Sequence, residues 1–341
     1  MQFSNTLNKI ILGNNLSFDE AKSIMENIME GKLTNSQIAA FAVALRCKGE
    51  SENEISGLVT AMKNGAIKLP ASFPNAVDTC GTGGDKLNTF NISTAAAIVA
   101  SGAGVVIAKH GNRSASSKSG SADVLESLGV NLDTDVDVEL RALKEIGIAF
   151  LFARSHHPAL KYAAAARKEI AVRTVFNLIG PMTNPAGARI QLMGVFREAD
   201  ILKVANVLKK LGAKRAMVVR GHDGMDEISI SAATDVAELK DDKIISYQIN
   251  PEDFGIEKAP LDSIKGGTPD VNARIISEVL DGKNCPGKNI VILNAGAVIY
   301  LSGIADSIKQ GIELAEKSIN SGQAKNKLHS LVKISNSKNN E

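Results

Sequence analysis

The chain has 341 residues, 44% hydrophobic and 22% charged, a composition that suits one large globular domain or two ordinary ones. A net charge of +2, 4% aromatics and no Trp give no ground for an electrostatic nucleic-acid binder or a base-stacking platform. Cys47, Cys80 and Cys285 form no CxxC pair, which argues against a disulfide framework or a zinc site and fits a reducing compartment.

Residues 1–70 read as helices only. Ser17-Phe18-Asp19-Glu20, Thr34-Asn35-Ser36-Gln37 and Ser51-Glu52-Asn53-Glu54 each have the form of a capping box, whose two side chains satisfy orphan backbone donors reciprocally. The helices they open carry apolar faces, for instance Ile24, Met25 and Ile28, then Ile38, Phe41 and Leu45, then Ile55, Leu58 and Met62. Three short amphipathic helices hold too little core to stand alone. They are expected to pack on a later segment or on a second copy of the chain. The N-terminus, MQFSNTLNKIILG, has no cleavage motif. The most apolar stretch, residues 95–108, is shorter than the ~20 residues that span a bilayer. No membrane association and a cytoplasmic location are expected.

From Asp78 the pattern alternates strand and helix, which argues a mostly parallel sheet. Ala76-Val77-Asp78 reads as a strand end running into Gly81-Thr82-Gly83-Gly84-Asp85, too glycine-rich for regular structure. Asn91, Ser93 and Thr94 supply caps for the apolar helix that follows, up to Gly102 and Gly104. Residues 105–108 read as a buried strand ending in Lys109-His110-Gly111-Asn112-Arg113-Ser114. Glycine lets backbone N–H groups approach an anion, and a capped helix start adds N–H donors with a favourable dipole. Lys109 and Arg113 add charge, Arg113 as a fork, and Ser114, Ser116, Ser117, Ser119 and Ser121 add hydroxyls. Such a pair of loops suits a ligand with several phosphates, and Asp85 suits it only if a divalent cation is present as well. Neither a Walker A nor a G-x-G-x-x-G fingerprint is present.

Further on, helices are expected over 122–128 and 137–146, a buried strand over 148–152, and a helix over 158–169 with Lys161, Arg167 and Lys168. His156 and His157 are adjacent and cannot share a helix face as H-x-x-x-H zinc ligands do, so a structural or substrate-loop role is expected. A helix over 201–211 and a strand over 216–219 lead to Gly224-Met225-Asp226-Glu227. Two adjacent carboxylates are commonly a solvated pair, but at a strand end near a polyphosphate site they also suit Mg²⁺. Short antiparallel strands are expected over 228–230, 235–239 and 244–248, and a single helical turn opens at Asn250-Pro251. A regular helix is expected to start near Leu261 or Asp270. Residues 290–293 read as a strand, 295–299 begin a helix, and 304–318 form a C-terminal helix before a fraying tail, 335–341.

DTCGTGGDKLNTFNIST, KHGNRSASSKSGSADVLESLG, HHPALKYAAAARKEIAVRTVFNLIGPMTNPA and the GxDGxDE segment together resemble the anthranilate phosphoribosyltransferases, over nearly the whole chain. The departures, Ala171 and Ala166 where Gly and Val are commoner, replace no polar ligand. The resemblance implies an α/β fold, nucleoside phosphorylase/phosphoribosyltransferase-like, with a small all-helical N-terminal domain and a large domain around a mostly parallel central sheet. The helical domain would take residues 1–70, joined by about 170–190, and the α/β domain 71–169 and 191–334. The implied reaction moves the 5-phosphoribosyl group from phosphoribosyl diphosphate to the amine of anthranilate, with Mg²⁺, two per subunit, aiding departure of diphosphate. Phosphoribosyl diphosphate would be bound by Gly81, Gly84, Asp85, Thr89, Asn91, Ile92, Ser93, Thr94, Lys109, His110, Gly111, Asn112, Arg113, Ser114, Ala115, Ser116, Ser117 and Ser121. Gly81, Asn112 and Arg167 would meet anthranilate, and Ser93, Asp226 and Glu227 the metal. An aromatic amine is largely unprotonated at neutral pH, so no general base is nominated. A homodimer through the helical domain is expected. A pyrimidine nucleoside phosphorylase and a non-catalytic nucleic-acid-binding relative are the alternatives, the second disfavoured by the retained Asp226-Glu227 pair.

Overall fold

The three capping boxes form as their sequences require. Ser17, Thr34 and Ser51 each accept from the backbone N–H three residues on, and Glu20, Gln37 and Glu54 return the bond. A computed structural model describes residues 3–114 and 118–337. Its first four helices are α1 (Phe3–Ile11), α2 (Phe18–Met29), α3 (Asn35–Lys48) and α4 (Glu52–Asn64). The α/β part holds strands β1 (Val77–Gly81), β2 (Ile107–Gly111), β3 (Ile148–Phe152), β4 (Ile190–Gly194), β5 (Arg215–Gly221), β6 (Thr234–Lys240) and β7 (Lys243–Ile249). Between and after them lie α5 (Ile92–Gly102), α6 (Ser121–Ser127), α7 (Val136–Glu145), α8 (Ala153–His156), α9 (Lys161–Ile170), α10 (Val175–Ile179) and α11 (Asp200–Lys210). The chain closes with α12 (Pro269–Leu280), α13 (Pro286–Ser302), α14 (Ile308–Asn320) and α15 (Gln323–Ser335).

The seven strands form one sheet in the order β3-β2-β1-β4-β5-β6-β7. β1 to β5 are mutually parallel, and β6 and β7 add antiparallel. From β1 the chain builds outward through β2 and β3, and then returns to build the other way from β4. That reversal puts a topological switch point between β1 and β4, and open α/β sheets bind ligands beyond the carboxyl ends of such strands.

Two cores flank the sheet. One buries α5, α13 and α15 against β1, β2 and β3. The other joins the N-terminal helices to α9, α10 and α11 and to Met193, Val218 and Ala237 of the sheet. The helical unit thus finds its missing core in later segments of the same chain: α3 packs on α9 and α4 on α11.

Several expected elements differ. Residues 290–293 are not a strand but the middle of α13, which is buried on nearly every side; a helix apolar all round shows the same unbroken run as a buried strand. Residues 228–230 are loop, because β6 takes the place beside β5 and Ile228 is bound by Asn294. The helix expected over 304–318 is α14, and a further helix that was not expected, α15, follows it beyond Gly322, whose backbone is left-handed. Ser335 does not fray. It is buried at the end of α15, where its hydroxyl accepts from Asn131 N–H at 3.1 Å and its carbonyl from Asn131 Nδ2 at 3.2 Å.

Candidate active site

The glycine loop leaves β1 at the switch point. Thr82 N–H donates to Gly194 O at 2.9 Å, and Gly83 N–H donates to Asp226 Oδ2 at 2.7 Å. Gly81 and Gly194 are required by packing: a Cβ on either would overlap Asp226, its carboxylate in the first case and its backbone carbonyl in the second. Asp226 is thereby wedged between the ends of β1 and β4. Gly83 and Gly84 adopt left-handed backbone, with φ 65° and 85°. Beyond them Asp85 accepts from Leu87 N–H at 3.1 Å, and Thr89 makes an isolated antiparallel bridge with Lys265.

At the start of α5, Ser93 N–H donates to Glu227 Oε1 at 3.2 Å, so Asp226 and Glu227 each accept from an N–H of the glycine loop or of the helix start that follows it. The Thr94 hydroxyl is buried there without a partner among the described residues. Asn91 occupies the cap position but makes no cap bond. Its amide instead donates to Ser119 O at 3.2 Å and accepts from Ser119 Oγ and from Asn272 Nδ2, tying the second loop and α12 to the first. Ile92 is a core residue whose N–H goes to Phe90 O. Lys109 is also buried. Its ammonium donates to Thr79 O, and to Thr79 Oγ1 and Ser93 Oγ, each at 3.2 Å. Burial lowers its pKa against the opposing pull of Asp78 and Glu227. The lysine is therefore a positive charge beneath the helix start, not a flexible surface arm.

The second loop follows β2. Gly111 leaves no room for a Cβ between Ser121 Oγ and the Phe150 ring. His110 N–H donates to Asp78 Oδ1 at 3.0 Å, and its imidazole is driven toward the neutral form by burial and then by His157. Asn112 accepts from Arg113 N–H through Oδ1 and from Ser121 Oγ through its carbonyl. The Arg113 fork is engaged: Nη1 donates to Asp123 Oδ1 at 3.0 Å and to Glu126 Oε2 at 2.7 Å, and Nη2 to Glu126 Oε1 at 2.9 Å. Asp123 Oδ2 also accepts from Ser114 and Gly120 N–H. Ala115, Ser116 and Ser117 lie outside the described residues.

Burial pushes Asp226 and Glu227 up, and the repulsion of neighbouring carboxylates, Asp85 above all for Asp226 and Asp226 for Glu227, pushes them further; Asp85 is raised in the same way, burial first. Carboxylates so crowded, with Lys109 and Arg173 as the nearest cations, suit a divalent cation. Among the described residues no three His, Cys, Asp or Glu side chains form a metal cage. This donor set fits Mg²⁺, which takes a few carboxylates and completes its shell with water and phosphate oxygens.

The histidine pair is structural. His157 Nε2–H donates to Thr183 O at 3.1 Å, and burial, then His156, lowers its pKa to about 4. His156 donates from Nδ1 to Ile67 O at 2.7 Å, with Nε2 2.9 Å from Glu139 Oε2. Cys80 packs beside Gln191 and Pro181, and burial pushes its thiol well up, away from a nucleophile's range. Arg167 on α9 is half-buried over the Phe176 ring, 5.5 Å from its centroid. Among the described residues it has no ion pair, and no hydrogen bond joins it to Gly81 or Asn112. A cavity of about 630 Å³ lies elsewhere, walled by residues 63–72, 182–191 and 208–213. Asp78 also lines it, but none of the residues expected to bind phosphoribosyl diphosphate, anthranilate or metal does. Sequence reasoning passed over Arg173, which donates from Nη2 to Thr82 O at 2.7 Å; the only signal was a cation just beyond a helix end.

Two family models cover the chain: the helical bundle domain of a glycosyl transferase family over residues 4–66, and the a/b domain of that family over residues 73–325. The chain is 50% identical over 336 residues to the anthranilate phosphoribosyltransferase of Desulfosudis oleivorans, covering 98% of this chain and 99% of that one. Its structure resembles the crystal structure of the anthranilate phosphoribosyltransferase from Thermus thermophilus, with a TM-score of 0.92, 41% identity, and 97% and 99% of the two chains covered. It also resembles the Saccharomyces cerevisiae enzyme in complex with PRPP and Mg, with a TM-score of 0.89, 27% identity, and 98% and 97% covered. With its helical bundle and its a/b domain both matched, and relatives at 50% and 41% identity aligned over nearly the whole chain, the chain belongs to the anthranilate phosphoribosyltransferases.

Proposed function

We propose that the two loops and the Asp226-Glu227 pair are the phosphoribosyl diphosphate half of the active site, and that Arg167 serves the anthranilate half. The protein is a phosphoribosyltransferase of tryptophan biosynthesis. In its reaction the bond between the anomeric carbon and the diphosphate oxygen breaks, a bond from that carbon to the anthranilate nitrogen forms, and the amine loses a proton. One observation carries the assignment: Gly83 N–H and Ser93 N–H, from opposite ends of the glycine loop, both close on the adjacent carboxylates of Asp226 and Glu227.

The barrier is charge accumulating on the leaving diphosphate while the sugar carbon becomes oxocarbenium-like. Gly81, Gly84, Thr89 and Asn91, with the first turn of α5, would cradle that charge, and Asp85 would join them through the metal bound to the diphosphate; the Thr94 hydroxyl, without a partner among the described residues, and the α5 dipole serve the same task. Lys109 adds fixed positive charge from below. Residues 109–114 and Ser121, with 115–117, would hold the ribose phosphate and the diphosphate. For that, Arg113 must turn from Asp123 and Glu126, an exchange of one set of charge-assisted bonds for another. Ser93, Asp226 and Glu227 would hold Mg²⁺, two ions per subunit, and the metal supplies positive charge to the diphosphate oxygens. Arg167, half-buried and without an ion pair among the described residues, would take the anthranilate carboxylate, with Gly81 and Asn112 also meeting anthranilate.

For the chain's organisation we adopt a helical domain of residues 1–70 with about 170–190, and an α/β domain of 71–169 and 191–334. Packing of Val175, Phe176 and Ile179 with the N-terminal helices supports the second segment, and Ala163 and Ala166 of α9 share that same core. Ile11, Leu12 and Val43 are exposed on the helical unit, at 64%, 76% and 38%, and support a homodimer through that face. No described helix is long and apolar enough to cross a membrane. The reading places the enzyme in the cytoplasm.

Anthranilate fluoresces, so its loss on adding phosphoribosyl diphosphate and Mg²⁺ reports the reaction directly. Unchanged fluorescence together with phosphorolysis of thymidine or uridine would instead mark a pyrimidine nucleoside phosphorylase.

A further inference from the structure

We propose that Arg173 is a positioning residue: a clasp from the segment between α9 and α10 that holds the glycine loop in the shape needed for diphosphate. The inference rests on the reading of that loop as the diphosphate cradle.

Arg173 follows Ala171, which ends α9 in left-handed backbone at φ 49°. It precedes α10, whose Val175, Phe176, Leu178 and Ile179 are buried with the helical core. The backbone at residue 173 is therefore carried by the helical unit, while its side chain reaches into the α/β part. There the guanidinium lies over the Phe196 ring, 5.0 Å from its centroid, and Nη2 donates to Thr82 O at 2.7 Å. Gly84, with φ 85°, lies so close that a Cβ on it would overlap the guanidinium. Gly84 thus serves two requirements at once, a left-handed turn and the approach of a cation.

The charge environment gives the clasp its direction. Asp226 and Asp85 attract Arg173 electrostatically, yet among the described residues it makes no ion pair with either. Its hydrogen bond goes to a backbone carbonyl, so it fixes the loop without occupying the carboxylate oxygens. Thr82 and Gly83 are then anchored on both sides, by Arg173 at one carbonyl and by Asp226 at the next N–H. A loop held this way presents its remaining N–H groups without first losing conformational freedom on binding.

The test is steady-state kinetics on Arg173→Ala, Arg173→Lys, Gly84→Ala and the double variant Arg173→Ala/Gly84→Ala, varying each substrate at saturating Mg²⁺. Arg173→Ala is expected to raise KM for phosphoribosyl diphosphate roughly tenfold or more, the scale of one charge-assisted hydrogen bond, with KM for anthranilate within about twofold of the parent. Arg173→Lys keeps a cationic donor and should recover most of the loss. Gly84→Ala should raise the same KM, and the double variant should be no worse than Gly84→Ala alone, because both changes undo one contact. The clasp is overturned if Arg173→Ala lowers thermal stability but leaves KM for phosphoribosyl diphosphate unchanged. It is also overturned if both KM values rise equally or if the effects multiply in the double variant. If Gly84→Ala and Arg173→Ala both leave that KM unchanged, the error lies in the placement of the diphosphate itself; if only Gly84→Ala raises it, the cradle stands and the clasp fails.

Discussion

The two phosphate-type loops stand side by side at the ends of adjacent strands and are braced in opposite ways. The loop after β1 is held from afar: by Asp226, Glu227 and Arg173, and by a bridge from Thr89 to Lys265. Among its described residues, the loop after β2 is held from nearby by Asp123 and Glu126 on the helix it leads into. A loop braced locally can form with its own helix. A loop braced from distant segments takes its shape only when the whole sheet and the helical unit are assembled, which ties its geometry to movements between them.

The largest effect is expected where the first loop's distant bracing meets backbone. Gly194→Ala would drive a Cβ into the Asp226 carbonyl, and backbone cannot rotate aside. A loss of about 3 kcal/mol or more in denaturant unfolding, or failure to fold, is expected; parental stability would break the claim that β4 and residue 226 are in close contact. Next is removal of the carboxylates. Asp226→Ala/Glu227→Ala should keep its circular dichroism but lose activity on the order of a hundredfold at low Mg²⁺, with partial return at high Mg²⁺. Coincident curves of rate against Mg²⁺ for variant and parent would make the pair a mere acidic turn.

Arg167 lies outside both loops, so its loss should spare the phosphate half. Arg167→Ala is expected to cost roughly ten- to hundredfold in kcat/KM for anthranilate while KM for phosphoribosyl diphosphate stays put. Loss of diphosphate affinity would mean that the halves are wrongly divided. In the second loop, Asp123→Asn weakens only local bracing, and a rise of about fivefold in KM for phosphoribosyl diphosphate is expected, with the Mg²⁺ dependence unaltered.

The smallest effect has opposite signs in the two loops. Asp226 and Glu227 bind protons more readily folded than unfolded, chiefly through burial. Lowering the pH through their raised values therefore stabilises the fold, until the unfolded chain also protonates near about pH 4. In Asp123, the N–H groups of Ser114 and Gly120 and then Arg113 outweigh burial and hold the carboxyl below its ordinary value. Its contribution is present above about pH 4 and lost below. Without Mg²⁺, Asp226→Asn/Glu227→Gln should melt above the parent at about pH 8 and approach it by about pH 5, while the deficit of Asp123→Asn should hold steady across that range. Parallel melting curves for all three proteins would erase the electrostatic half of the contrast.

Legibility follows the same division. The capping boxes at Ser17, Thr34 and Ser51, the glycine loop and the turn at Asn250-Pro251 could all be read, because the residues that make them are neighbours in sequence. Strand β4 was not singled out, although it lies at the centre of the sheet beside β1. Its five residues follow a proline- and glycine-rich turn and have no strong alternation. The run 290–293 misled because β-branched residues in a fully buried helix look like a strand. The sequence suggested a free Arg113 fork, and nothing local says that Asp123 and Glu126 will claim it first. Arg173 could not have been placed by pattern at all, since its partner is 91 positions away.

The open end of the sheet has a consequence for handling the protein. β3, at one end, is buried at all five positions, whereas β7, at the other, is mostly exposed, with Ile245 at 57%. The segment KIISYQI is therefore a ready template for an incoming strand. Lys240, Asp241, Asp242 and Lys243 crowd charge around the hairpin turn at its open end, where Asp241 and Asp242 hold φ values of 49° and 58°. Such charges act as gatekeepers against edge-to-edge pairing. Their range shrinks to about 3 Å at 1 M salt, so concentrated stocks should be kept at low ionic strength, where that guard against fibril-type association is strongest.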